Sequence, residues 1–512
     1  MAPLAYTPVE DIPKIHAELR QAFRTGKTKS VAYRKEQLAQ LAWGQKDNAT
    51  RLGEALQQDL GRPPIESDLL DINPSIGEAK DAYDNVEKWA RTEKTRFDFN
   101  WFASGPRIRK EPKGVVLIIA PFNFPILLLL GHLASAIAAG CCVLLKPSEL
   151  CPATCQVVTD IVTQYLDPDM VRIVNGDVPV VTQLLELQWD HILYTGGGRV
   201  AKIISMAAAK FLTPVTLEVR FPHHRKSPVV IDPKTADLPL AARRILWGKI
   251  ANAGQVCTAP DYVLIPREAQ DAFVKELQEA YKSFYAEDVA KSDSYSRIVS
   301  QAHAARIKRY IDETKGKVVI GGAVDVETRF VAPTVVRDVS FDDSTMEDEI
   351  FGPLLPIIPV RDVDEAIELI NSRETPLSLY VFTKDAAFKA KVFDNTQSGA
   401  AIANEVVIHV GTTGMPFGGV GPSGSGGYLT GKYGFETFTH LRGTLDNPKW
   451  CAVDTLVLKG RYPPYTVKNL RRMLKVSMPP RAGARAGGKR WGLWLVLALV
   501  GAVSAVLTRR RV

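Results

Sequence analysis

From Lys459 to Val512 the chain has no aspartate or glutamate, while it carries 13 lysines and arginines. The first 458 residues hold 51 basic and 56 acidic groups, so the formal charge of +8 belongs to the tail alone and the body is mildly acidic. An acidic body disfavours a nucleic-acid groove, and a basic tail suits an anionic membrane surface. Cysteine is scarce: six in 512 residues exclude a disulfide framework. Cys141–Cys142 and Cys151-x-x-x-Cys155 fit no common zinc spacing, and in the apolar run AAGCCVLLKP successive side chains point to opposite faces, so packing is their expected role and no metal is expected. The opening MAPLAYTPVEDIPK lacks a basic segment followed by an apolar one, so no secretory signal and a reducing compartment are expected. No low-complexity tract and no repeat interrupt the first 450 residues.

Long apolar runs are also rare, with one exception near the C-terminus. Trp491 to Leu507, WGLWLVLALVGAVSAVL, is 17 uncharged residues between Lys489-Arg490 and a closing Arg-Arg-Arg. As a helix it is about 25 Å long, slightly under the roughly 30 Å hydrocarbon core. Flanking Arg and Lys reach the interface, and Trp491 and Trp494 suit it, so the segment reads as a transmembrane tail anchor with the body facing the cytosol.

The body itself has the pattern of an enzyme-sized α/β protein. The first hundred residues read as helices, IHAELRQAFRTG and then AYRKEQLAQLAWGQKDNATRLGEALQQDLG, the latter ended by Gly61 and Pro63-Pro64. From Gly114 strands and helices alternate: GVVLIIA, PILLLLGHLASAIAAG, CVLLKP, CPATCQVVTDIVTQYL, VRIVNG, VPVVTQLLEL, HILYTGG, RVAKIISMAAAKF, PVTLE. Strict alternation predicts a doubly wound parallel sheet, which binds ligands at the carboxyl ends of its strands. A second α/β block starts at Pro228, with KSPVVI, DLPLAARRILWGKIANAG, DYVLI, LSLYVFT and GAAIANEVVI. The Gly-rich GTTGMPFGGVGPSGSGGYLTGKYG is a loop without the lysine-serine signature of a phosphate loop. The expected organisation is N-terminal helices and a Rossmann-like dinucleotide-binding domain over 1–217 and a catalytic domain over 218–425. A return segment over 426–450, a basic linker over 451–489 and the anchor over 490–512 follow.

Three strand ends carry candidate ligand contacts. APFNFP closes the first strand with Asn123, whose side-chain amide is a good donor to a developing oxyanion. KPSE closes the next with Lys146 and Glu149, a pair suited to ribose hydroxyls, the acid favouring a 2′-hydroxyl over a 2′-phosphate. YTGGGRV brings Thr195, Gly196 and Gly197 to a helix N-terminus able to receive a pyrophosphate. Cys257, in NAGQVCTAPDY, joins a helix to a strand; a lone cysteine is more often a small buried hydrophobe than a nucleophile, but its company favours chemistry.

With these motifs in hand the sequence resembles the aldehyde dehydrogenase superfamily over roughly residues 10 to 445, and most of all its membrane-bound fatty aldehyde class. APFNFP, KPSE, HILYTG, FLTPVTLE, GQVCTAPDY, EDEIFGPLLP, PFGGVGPSGSGGY and GKYGFETFTH carry the resemblance, in the family's order. It implies NAD-dependent oxidation of long-chain aliphatic aldehydes to carboxylic acids, with Cys257 as nucleophile, Asn123 at the oxyanion and Glu218 as general base. Lys146 and Glu149 then serve the adenosine ribose, and Glu349 and Phe351 the nicotinamide end. It also implies a homodimer, with apocarotenals as an alternative lipophilic substrate. The anchor suits endoplasmic reticulum, peroxisome or outer mitochondrial membrane.

The sequence departs from the family at one place. Similar members read TLELGGKSP at the general base; here VRFPHHR, residues 219–225, stands where LGG belongs. Glycines permit close backbone approach that Phe221-Pro222 and His223-His224 do not. As metal ligands the histidines lack partners at a matching interval. Two readings stay open, a divergent loop with altered or lost activity, leaving a membrane-tethered homologue, and an in-frame misreading of the gene. A lesser departure puts Gly197 and Ala201 where the pyrophosphate turn has a serine and a last glycine.

Overall fold

The computed structural model describes residues 4–98, 101–220, 226–447, 462–465 and 467–468. His223 and His224, the anchor at 491–507 and the basic linker's greater part lie outside them. Among the described residues no helix is long and apolar enough to cross a membrane. The chain divides into a large unit, Met1–Glu93 with Ile108–Gly443, and a small one, Lys94–Arg107 with the segment from Thr444. In the small unit the Asp446 N–H donates to the Ser104 carbonyl at 2.8 Å.

Within the large unit the first sheet contains β1 (Val115–Ile119), β2 (Cys142–Lys146), β3 (Val171–Ile173), β4 (His191–Gly197) and β5 (Val215–Arg220). Its order is Gly424–Ser425, β5, β4, β1, β2, β3. The five numbered strands run parallel and Gly424–Ser425 pairs antiparallel to β5. The chain reverses its direction of winding at β1 and β4, so a crevice opens at their carboxyl ends. The apolar run VVLII explains why β1 is central: all five residues are buried, and they split by the period of two. Val116 and Ile118 join a core with the helices Val31–Asp47, Ala49–Leu60 and Pro152–Tyr165, while Val115, Leu117 and Ile119 join another with Ile12–Arg24 and Gly198–Ala209. Cys141 and Cys142 divide the same way, one in each core.

The second sheet contains β6 (Pro228–Ile231), β7 (Tyr262–Pro266), β8 (Lys317–Ile320), β9 (Thr334–Arg337), β10 (Leu354–Val360), β11 (Ser378–Phe382) and β12 (Ala400–Ala403), in the order β8, β9, β10, β7, β6, β11, β12. It is parallel except for β8. β5 runs across residues 217 and 218, so Glu218 stays with the first sheet and pairs with Thr195 on one side and Gly424 on the other.

Two local expectations need correction. The apolar period over 32–61 suggests one helix, but Asn48 ends the first at φ −103° and ψ 13°, and its side chain donates to the Gly44 carbonyl at 2.9 Å. The helix expected through Gly254 stops at Ile250, and Asn252 and Ala253 adopt left-handed angles. A helical period registers neither, because at Asn48 the side chain bonds the local backbone and at Asn252 the competing bonds come from Arg62 and Glu66.

Candidate functional site

A cavity of about 480 Å³ opens at the carboxyl end of the first sheet, and every candidate site residue lines it: Asn123, Lys146, Glu149, Thr195, Gly196, Gly197, Glu218, Cys257, Glu349 and Phe351. Parallel strands deliver most of them, because successive strand ends project the next residues toward one edge.

Asn123 lies in the turn after β1 and is 3% exposed. Its main-chain carbonyl accepts from the Asn252 side-chain amide at 2.9 Å and from Arg62 Nη2. Lys146 ends β2, and its Nζ lies 2.5 Å from Glu149 Oε2; the lysine is buried while the carboxylate is half-exposed. The Thr195 hydroxyl is buried without a hydrogen-bond partner. At Gly196 a Cβ would come within 2.4 Å of the Tyr194 hydroxyl oxygen, so only glycine fits; at Gly197 a Cβ would meet nothing within 4 Å. Gly197 caps the helix Gly198–Ala209, which aims its free N–H groups and Val200 and Ile203 at the cavity.

The reacting end lies deeper. Glu218, 4% exposed, lines the cavity with Cys257, its carboxylate near enough to act on the thiol's charge. Burial pushes this thiol well above the usual cysteine range, and the Glu218 and Glu349 carboxylates add to the shift. Four other described cysteines, Cys141, Cys142, Cys151 and Cys155, are fully buried, whereas Cys257 is only half-buried and faces the cavity. Phe351, at φ +48°, packs edge-on against Phe122 with ring centroids 5.8 Å apart.

Several residues that hold this end are not singled out by the sequence. Asp261, four residues after Cys257, is bonded to Lys226 Nζ at 2.7 Å and Lys249 Nζ at 2.9 Å, all three buried. Lys226 also donates to the carbonyls of Thr345 and Asp348, each at 3.0 Å, just before Glu349. One cluster thereby ties together the exits of β5, the Cys257 loop and the Glu349–Phe351 turn. Burial opposes ionisation of Asp261, but the two ammonium groups win and hold it down at about 2; burial brings Lys226 down to about 8. Arg62 and Asp71 form a second buried pair at 2.8 Å. Asp261 and Lys226 lie in GQVCTAPDY and KSP, but the motifs do not say that the two pair with Lys249 and with the turn before Glu349. Among the described residues no group of three or more His, Cys, Asp and Glu is placed to hold a metal ion.

Comparison with known proteins places the chain in a family. Residues 1–443 match the aldehyde dehydrogenase family. The chain is 39% identical to the beta-apo-4'-carotenal oxygenase of Neurospora crassa, over 99% of this chain and 95% of that one. It is 41% identical to aldehyde dehydrogenase family 3 member A2 of Mus musculus, over 87% and 90%, and 40% identical to the dimeric NADP-preferring aldehyde dehydrogenase of Canis lupus familiaris, over 90% and 99%. The substrate-bound Staphylococcus aureus AldH structure superposes with a TM-score of 0.82 at 35% identity, covering 86% of this chain and 94% of that one. The NAD+ complex of the Bacillus cereus aldehyde dehydrogenase superposes with a TM-score of 0.78 at 25% identity, covering 87% and 90%. The chain belongs to the aldehyde dehydrogenase family.

Proposed function

We propose that this enzyme oxidises long-chain aliphatic aldehydes to carboxylic acids with NAD, through a thiohemiacetal and then a thioester on Cys257. The observation that carries the proposal is the convergence of Cys257, Glu218 and Asn123 on one cavity, with all three lining it.

Cys257 Sγ reacts as the thiolate, so its proton must leave first, and Glu218 is the acceptor in reach. Sγ bonds to the aldehyde carbon, and the carbonyl oxygen becomes an oxyanion received by the Asn123 amide and the Cys257 main-chain N–H. The dinucleotide, when bound, supplies the acceptor for the hydride that this carbon loses. Glu218 gives the thiol's proton up to solvent through the cavity and, as a carboxylate again, takes a proton from water; the water oxygen attacks the thioester carbon, the C–S bond breaks, and the acid departs from a regenerated thiolate.

The residues present fit a dinucleotide. Val178, Val181 and Leu185 face Val200 and Ile203 across an apolar slot suited to adenine. Lys146 and Glu149 suit a ribose, the helix N-terminus and the partnerless Thr195 hydroxyl a pyrophosphate, and Glu349 and Phe351 the nicotinamide end. The Glu149 carboxylate would repel a 2′-phosphate, which favours NAD over NADP. A second cavity, about 260 Å³, shares Leu128 with the first; Leu127, Val410, Phe417 and Leu429 give it an apolar side suited to an aliphatic chain, and Glu78, Asp81 and His132 a polar one. The Neurospora relative, matched over nearly all of this chain, favours apocarotenals as a second reading.

Met206 and Leu212, on and just after the helix Gly198–Ala209, are 67% and 89% exposed, which supports a covering second copy and a homodimer. Attachment to endoplasmic reticulum, peroxisome or outer mitochondrial membrane through 490–512 rests on the apolar run and its basic flanks. The division into a dinucleotide-binding part over 1–217 and a catalytic part over 218–425 is proposed on the same footing, from the motif order.

The test is NADH formation from hexadecanal, propanal and an apocarotenal. Hexadecanal is expected to exceed propanal in kcat/KM by about tenfold or more, since each buried methylene adds roughly 0.8 kcal/mol. Absence of NADH with every aldehyde, or turnover retained in Cys257→Ser, would reject the reading; preference for the apocarotenal would replace the substrate.

A further inference from the structure

The Arg62 guanidinium has no exposed surface, and its donors go to three different elements. Nη1 donates to Asp71 at 2.8 Å, Nε to the Asn252 side-chain oxygen at 3.1 Å, and Nη2 to the Asn123 carbonyl. Asp71, also fully buried, uses its other oxygen to accept from the Leu127 N–H at 2.7 Å, beyond the Asn123 turn. Asn252 adds bonds to the Asn123 carbonyl at 2.9 Å and to the Gln255 carbonyl at 3.2 Å, two residues before Cys257. Holding Asn252 there requires φ +50°, a left-handed angle at a side-chain-bearing residue. Two buried donors from distant elements, Arg62 Nη2 and the Asn252 side-chain amide, thus converge on the carbonyl of one asparagine, Asn123.

We infer that Arg62, held by Asp71, is a positioning residue for the oxyanion site, fixing the Asn123 turn and the Cys257 loop to each other so that both donors face one oxygen. The inference rests on the oxyanion role proposed for Asn123. Arg62 touches neither substrate nor cofactor; it sets the distance between two groups that do. Misplacement of such groups by about 1 Å costs on the order of a hundredfold in rate.

The full-length enzyme is compared with Arg62→Lys, which keeps the charge beside Asp71 but loses the fork, and with Asn252→Gly, which keeps the backbone angle and buries no unpaired charge. Each is also placed in an Asn123→Ala background. Expected is a fall of about tenfold or more in the first-turnover rate of NADH formation, with KM for NAD changed by less than about twofold. With Asn123→Ala present, the same substitutions should cost less than about twofold, because the group they position is gone. Equal losses in both backgrounds, or a rise in KM for NAD as large as the fall in rate, overturn the inference. A single Asn123→Ala that leaves the rate unchanged defeats the oxyanion reading itself, and is told apart because it needs no Arg62 variant. Hydrogen exchange of segments 120–130 and 250–258 reads the clamp without turnover: faster exchange in both is expected for Arg62→Lys, and unchanged exchange in both overturns the clamp.

Discussion

The two ends of the catalytic cavity are built by different means. At the end proposed for the dinucleotide the contacts sit where strands of the first sheet stop: Lys146 as the last residue of β2, Thr195 to Gly197 as the last three of β4. Partners there are near in sequence, as with Lys146 and Glu149, and the carboxylate reaches solvent. At the reacting end the functional groups are held by buried charges from distant parts of the chain, Arg62 against Asn252 and Lys226 against Asp261. On the proposed roles, a change at the half-exposed Glu149 should alter binding alone. The reacting end is fixed by over-determined contacts, and change there alters rate and stability together.

The sharpest way to break this contrast is at Glu218. Glu218→Gln should lower kcat by about 10²- to 10⁴-fold, the range for loss of a positioned base. It should also move the pH profile of Cys257 alkylation to lower pH: burial still raises the thiol, but the carboxylate that adds to the shift is gone. Alkylation by iodoacetamide across pH 7 to 10 reads this, and a profile that stays put or moves upward would contradict the contact.

Next in size is Asp261→Asn, which leaves Lys226 and Lys249 buried without their counter-charge. A loss of about 3–5 kcal/mol is expected, read by urea unfolding. The sign with pH follows from the folded carboxyl lying at about 2, below its ordinary 3.8. Its contribution is whole above about pH 4 and fades as pH falls toward 2, so the gap between wild type and variant should narrow on acidification.

At the other end Glu149→Gln should be milder, raising KM for NAD by about tenfold or less while easing use of NADP, with kcat nearly unchanged. A fall in kcat as large as that of Glu218→Gln would erase the distinction between the ends.

The same contrast decides what was legible in the sequence. The parallel sheet could be read from β1, because a strand buried on both faces has to be a continuous apolar run, and VVLII is one. The cavity-lining residues could be read because each sits a fixed step past a strand or inside a family motif. Arg62, in DLGRPP, looks like a solvated charge after a helix; only the fold brings it 190 residues along the chain to Asn252. Asn252 itself lay in what reads as a continuing helix, since the bonds that bend it left-handed come from Arg62 and Glu66. The replacement of LGG by 219–225 suggested a displaced Glu218. The strand runs on to Arg220, through the first two divergent residues, and Glu218 pairs with Thr195 on one side and Gly424 on the other, while residues 221–225 lie outside the described ones.

That point is the most exposed. NADH formation from hexadecanal by the full-length chain in detergent, beside a version with Leu-Gly-Gly in place of residues 219–225, tests it directly. On the account that strand register sets Glu218, whatever stands at residues 219–225, the two rates should agree within about tenfold. Activity in the Leu-Gly-Gly version alone would contradict the account, and would leave the chain as written a homologue whose general base is out of place.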